Sequence, residues 1–105
     1  MIQTLVTENS FNKLFKKASR GEEDLMFLFL SPDYDETCRR IREYLFAGNH
    51  KLKNKLYLVN SFITPHAFSA YNTTKVPCLV SVLDRKRKSE SYQPFIYNSL
   101  GVSPQ

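Results

Sequence analysis

Residues Leu25-Met26-Phe27-Leu28-Phe29-Leu30 are apolar at every position. A half-buried strand would alternate, and an amphipathic helix would show a stripe. An unbroken short run fits a strand covered on both faces, as strands of parallel sheets are. The run is also far too short to cross a bilayer, which takes about 20 residues in a helix. It therefore predicts a central strand, with helices packed on the sheet that contains it.

The flanking segments supply those layers. Ile2 to Val6 reads as a short strand. Asn9 or Ser10 can cap a helix through Ala18, in which Phe11, Leu14, Phe15 and Ala18 share one face; Gly21 marks its end. After the apolar run, Ser31 to Asp33 opens a second helix. Pro32 suits its first turn, Asp33 and Glu36 have capping-box spacing, and Asp33, Asp35 and Glu36 match the helix dipole. Tyr34, Cys38, Ile41 and Leu45 face the sheet, Arg39, Arg40, Arg42 and Glu43 lie mostly outside, and Gly48 ends the helix. Lys55 to Phe62 is a strand, Thr64-Pro65 opens a short helix through about Tyr71, and Cys78 to Leu83 is a strong strand. Asp84 to Glu90 reads as a polar, basic turn. Ser91 to Tyr97 reads as a final strand, held to an edge because Pro94 cannot donate to a ladder. The predicted class is α/β, order β-α-β-α-β-α-β-β, a central mixed sheet flanked by helices. Residues 1–105 are read as a single domain.

Several classes of chemistry are disfavoured. Three isolated glycines cannot form a phosphate-binding P-loop, and no Gly-x-Ser-x-Gly elbow occurs. Cys38, Cys78, His50 and His66 are scattered without metal-ligand spacing, so no metal site and no cofactor are expected. Residues 1–6 lack the basic start of a signal peptide, and two cysteines are few for a secreted disulfide scaffold; the expected location is the cytoplasm.

The element order resembles the thioredoxin fold, and local details agree over roughly residues 2 to 97. Phe29-Leu30-Ser31-Pro32 leaves the central strand and enters a helix, as that family's active-site loop does. Lys75-Val76-Pro77 before Cys78-Leu79-Val80 is similar to its cis-proline loop, and Asn9-Ser10-Phe11 to the start of its first helix. Against the family's Trp-Cys-Gly-Pro-Cys stands Tyr34-Asp35-Glu36-Thr37-Cys38, allowing one extra residue. Asp35 replaces the attacking cysteine and only Cys38 remains; an ungapped alignment puts Tyr34 and Thr37 at the two cysteine positions. The family's buried acid falls at or near Leu28. Its final helix is expected to be missing or truncated, with only Asn98 to Gln105 left for it.

Thiol–disulfide exchange needs an exposed, activated thiolate. Cys38 would sit about one turn inside its helix, among Asp33, Asp35 and Glu36, where it reads as a structural thiol. The resemblance implies a non-catalytic, protein-binding or accessory domain, leaning against an enzyme. The docking groove would be formed by Tyr34, Asp35, Thr64, Val76 and Pro77, with the backbone before the proline receiving an extended peptide. The alternative is a thiol–disulfide oxidoreductase using Cys38, with Cys78 approaching it across the cis-proline loop. A third reading draws on the formal net charge of +5 and on Arg85-Lys86-Arg87-Lys88, a basic patch suited to nucleic acid. No membrane partner is expected. A sheet face left bare by a missing helix would call for a second copy of the chain, a homodimer, or another partner to cover it.

Overall fold

The computed structural model describes residues 2–5, 7–31, 36–48, 50–52, 54–60 and 76–102. Strands β1 (Ile2–Leu5), β2 (Leu25–Leu30), β3 (Lys55–Asn60), β4 (Cys78–Leu83) and β5 (Lys86–Glu90) form one sheet in the order β1-β3-β2-β4-β5. β3 is parallel to both β1 and β2, whereas β4 is antiparallel to β2 and to β5. Helices α1 (Glu8–Ser19), α2 (Glu36–Phe46) and α3 (Gln93–Leu100) flank the sheet. The expected helix from Thr64 to Tyr71 lies outside the described residues.

Every residue of β2 is buried, as its composition required. Because side chains alternate along a strand, β2 feeds two cores. Leu25, Phe27 and Phe29 point to the α1 face, where they meet Phe11, Ala18, Tyr57 and Val80. Phe27 is the centre of that layer, with its ring 5.3 Å from Phe11 and 6.0 Å from Tyr57. Met26, Leu28 and Leu30 point to the opposite face, under Cys38, Ile41 and Leu45 of α2 and Ile96 and Leu100 of α3. Tyr44 and Tyr97 close the seam between those two helices with rings 6.0 Å apart.

Three expectations need correction. The cap of α1 is Thr7, two residues before Asn9: its hydroxyl accepts the Ser10 N–H at 3.1 Å, and the helix starts at Glu8. The stretch read as a basic turn holds only a two-residue turn, Asp84-Arg85, both at positive φ; Lys86 to Glu90 is strand β5. The stretch read as the last strand is instead α3. Pro94 sits in its first turn, where a missing N–H costs nothing, and Gly101 caps its far end in the left-handed region. The final helix, expected to be missing or truncated, is thus present as a short one of eight residues.

Candidate functional site

Ser31, one step past β2, is where the chain leaves the sheet toward α2. Its buried backbone N–H donates to Cys38 Sγ at 3.4 Å, and its carbonyl accepts from the Arg42 guanidinium. Cys38 and Arg42 are four residues apart on α2, hence on the same side of the helix. Together they tie its first turns to the end of the central strand. Arg42 was expected to point outward. Its i+4 relation to Cys38 was the available signal that it could instead reach the strand end.

The third component arrives along β4. Phe29 pairs with Cys78, so the antiparallel register carries Pro77 and Val76 alongside Leu30 and Ser31. Val76 is half-buried and packs against both cores, and the Val76–Pro77 peptide bond is cis. Val76 and Pro77 therefore lie beside the end of β2 to which α2 is tied. Tyr34, Asp35 and Thr64, the other expected members of the docking groove, lie outside the described residues, as does His66.

The two thiols do not converge. Both are free and buried; Cys38 has no exposed surface and Cys78 is 4% exposed. Cys38 belongs to the α2–α3 core, whereas Cys78, paired with Phe29, points into the α1 core. The sheet stands between them. The expected approach of Cys38 to Cys78 is corrected on this ground, and the same separation prevents them from sharing a metal ion. Leu28, at or near which the family's buried acid was expected to fall, is wholly buried among apolar neighbours and has no proton to exchange.

The basic patch occupies the far edge of the sheet. Arg85 lies in the β4–β5 turn, and Lys86, Arg87 and Lys88 lie on exposed β5. The turn is pinned by the Asp84 N–H, which donates to Asp24 Oδ1 at 2.8 Å.

Solved structures give the arrangement its context. An oxidised thioredoxin O2 from Arabidopsis thaliana is similar over 94% of this chain and 93% of its own, with a TM-score of 0.75 and 20% identity. The chain has the thioredoxin fold. The Fasciola hepatica thioredoxin covers 93% of this chain and 95% of its own at TM-score 0.69 and 19% identity. Thioredoxin NaTrxh from Nicotiana alata covers 92% and 87% at TM-score 0.75 with 8% identity. No protein-family model and no curated protein sequence matches the chain. At these identities the thioredoxin likeness speaks for the backbone alone. No helix among the described residues is long and apolar enough to cross a membrane.

Proposed function

We propose that this chain is a non-catalytic thioredoxin-fold module that binds an extended protein segment at the Val76–Pro77 loop. One observation carries the reading: the sulfur remaining near the start of α2 is fully buried under a backbone N–H, and the other thiol lies across the sheet. Dithiol exchange passes through a mixed disulfide, so an attacking sulfur must be reached by the substrate and a second sulfur must resolve it. Neither condition is supported here. What remains of the site is its scaffold. The half-buried Val76 and Pro77 run beside the end of β2, where a partner strand can pair with the backbone and let its side chains select.

The catalytic half is tested by insulin reduction with dithiothreitol. Wild type and Cys38→Ser should be equally inactive; activity that disappears in Cys38→Ser would replace this reading with a single-cysteine redox protein. The binding half is tested by comparing wild type with Val76→Asp in affinity capture, with circular dichroism confirming that the variant folds. A partner held by wild type and released by Val76→Asp fits the proposal. Retention of every captured protein by both would place binding elsewhere.

A further inference from the structure

We propose that the face of the sheet between β5 and α3 binds single-stranded nucleic acid. At 1.5 Å per residue, the eight residues of α3 span about 12 Å, whereas the six of β4 span about 20 Å. The cover gives out along β4. On the α3 face Leu79 is 2% exposed, Ser81 is half-buried and Leu83 is 39% exposed. The uncovered end is a cavity of about 600 Å³, adjoined by one of about 260 Å³ that shares Ser81, Lys88, Asn98 and Ser99 with it. Together they make an open groove.

Register decides which charges enter it. Lys88 pairs with Ser81 and Lys86 with Leu83, and directly opposed residues of an antiparallel pair share a face. Lys86 and Lys88 therefore stand on the groove side, about 7 Å apart along the strand. Lys51 lines the same cavity and is held by its backbone N–H, which donates to the Leu100 carbonyl at 3.4 Å. None of these three lysines makes an ion pair among the described residues. Among the described residues, Glu90 is the one carboxylate lining the smaller cavity, at the other end of β5 from Lys86. Ser81, Asn98 and Ser99 add neutral donors and acceptors between the charges.

Positive charge along an edge strand also discourages sheet-to-sheet pairing. The aromatic residues point further. Phe95 lines the smaller cavity and is 55% exposed; Tyr92 beside it is 61% exposed, with the rings edge to face at 5.0 Å. An acidic protein would need the lysines but not the rings. Bases stack on exposed aromatic faces while lysines follow the phosphates, the combination found where single strands bind without sequence preference.

The test is fluorescence anisotropy with a short labelled oligo(dT), titrated with the full chain over a series of salt concentrations. Three phosphate contacts imply a slope of log K against log salt of about −2, at about −0.7 per contact. The double variant K86Q/K88Q should flatten that slope by about 1.4. Phe95→Ala should weaken binding about tenfold and leave the slope unchanged. All three side chains are exposed, and circular dichroism checks that the variants fold. K16Q/K17Q, on α1 across the sheet, should bind like wild type. The proposal is overturned by absence of binding at low salt, by binding that survives K86Q/K88Q, or by an equal loss in K16Q/K17Q. Displacement of the oligonucleotide by poly-glutamate at equal charge concentration would also overturn it, marking a surface for acidic proteins.

Discussion

Replacing Gly101 by alanine probes how tightly α3 is seated. Gly101 caps the helix at φ 63° and ψ 30°, and its N–H donates to the Asn98 carbonyl at 3.2 Å. An L-residue held in this left-handed region costs about 1–2 kcal/mol. Stiffening the unfolded chain returns about 0.4–1 kcal/mol. A second cost is particular to this site. A Cβ on Gly101 would lie 2.8 Å from the Lys51 nitrogen and 3.0 Å from its carbonyl oxygen, both backbone atoms that no rotamer change can move. Overpacking of that kind adds about 1–3 kcal/mol. The expected loss for Gly101→Ala is therefore about 1–4.5 kcal/mol, of which about 1–3 is the overpacking term. Gly48 is the internal control: its φ is 83°, yet nothing lies within 4 Å of its Cβ position. Gly48→Ala should thus lose only about 1 kcal/mol or less, the balance of the first two terms. Urea unfolding followed by far-ultraviolet circular dichroism measures both. In thermal melts the difference corresponds to several degrees at least, at about 4–8 °C per kcal/mol for a domain near this size. Equal losses in the two variants would refute the seating of Gly101 on the Lys51 backbone.

Three further outcomes are expected. Thr7→Ala removes the N-cap acceptor of Ser10 N–H and should cost about 1 kcal/mol in urea unfolding, with Thr7→Ser close to wild type. Arg42→Met removes the guanidinium that donates to the Ser31 carbonyl and should cost about 1–3 kcal/mol, several times the effect of Arg39→Met on the exposed face. Lys55 Nζ lies 2.5 Å from Glu23 Oε1, and hydrogen bonding to Glu23, then its charge, raises the lysine's pKa above its ordinary 10.5. A raised pKa means that the contribution is fully present below about 10.5 and is lost as pH rises through the higher folded value. The stability difference between wild type and Lys55→Gln should accordingly be constant from neutral pH up to about 10.5 and shrink only in stronger alkali, as read from urea midpoints across that range.

Most of the scaffold was legible because burial leaves a mark in the pattern. β2 had to be central once all six residues were apolar, and it is buried throughout. The faces of α1 and α2 followed from helical spacing, and Phe11, Ala18, Cys38, Ile41 and Leu45 are buried as that spacing implied. The C-terminal third was misread where those marks are absent. β5 is nearly all exposed and holds its place through the ladder to β4, so it carries no alternation to detect. The residues of α3 fit two periods: Ser91 to Tyr97 can pass for an edge strand. Ile96 and Leu100 at i, i+4, followed by Gly101, are the helical signal that tertiary packing selects. For the candidate site, the placement of Val76–Pro77 at the start of β4 was legible from element order together with the likeness of Lys75-Val76-Pro77 to a cis-proline loop. The divergence of Cys38 and Cys78 was not, because it depends on Cys78 pairing with Phe29 and thus pointing away from α2. A one-residue change of register would have turned it the other way.

Alkylation of the native chain by iodoacetamide, with each cysteine followed by peptide mass spectrometry, bears most directly on whether this fold retains exchange chemistry. With Cys38 and Cys78 buried in separate cores, labelling of both must wait for opening of the structure. Each should react about 100-fold or more slowly than in urea-unfolded protein, and mild oxidation should produce no Cys38–Cys78 disulfide. Native labelling of Cys38 at the unfolded rate, or a disulfide between the two, would contradict the buried, divided arrangement on which the non-catalytic reading stands.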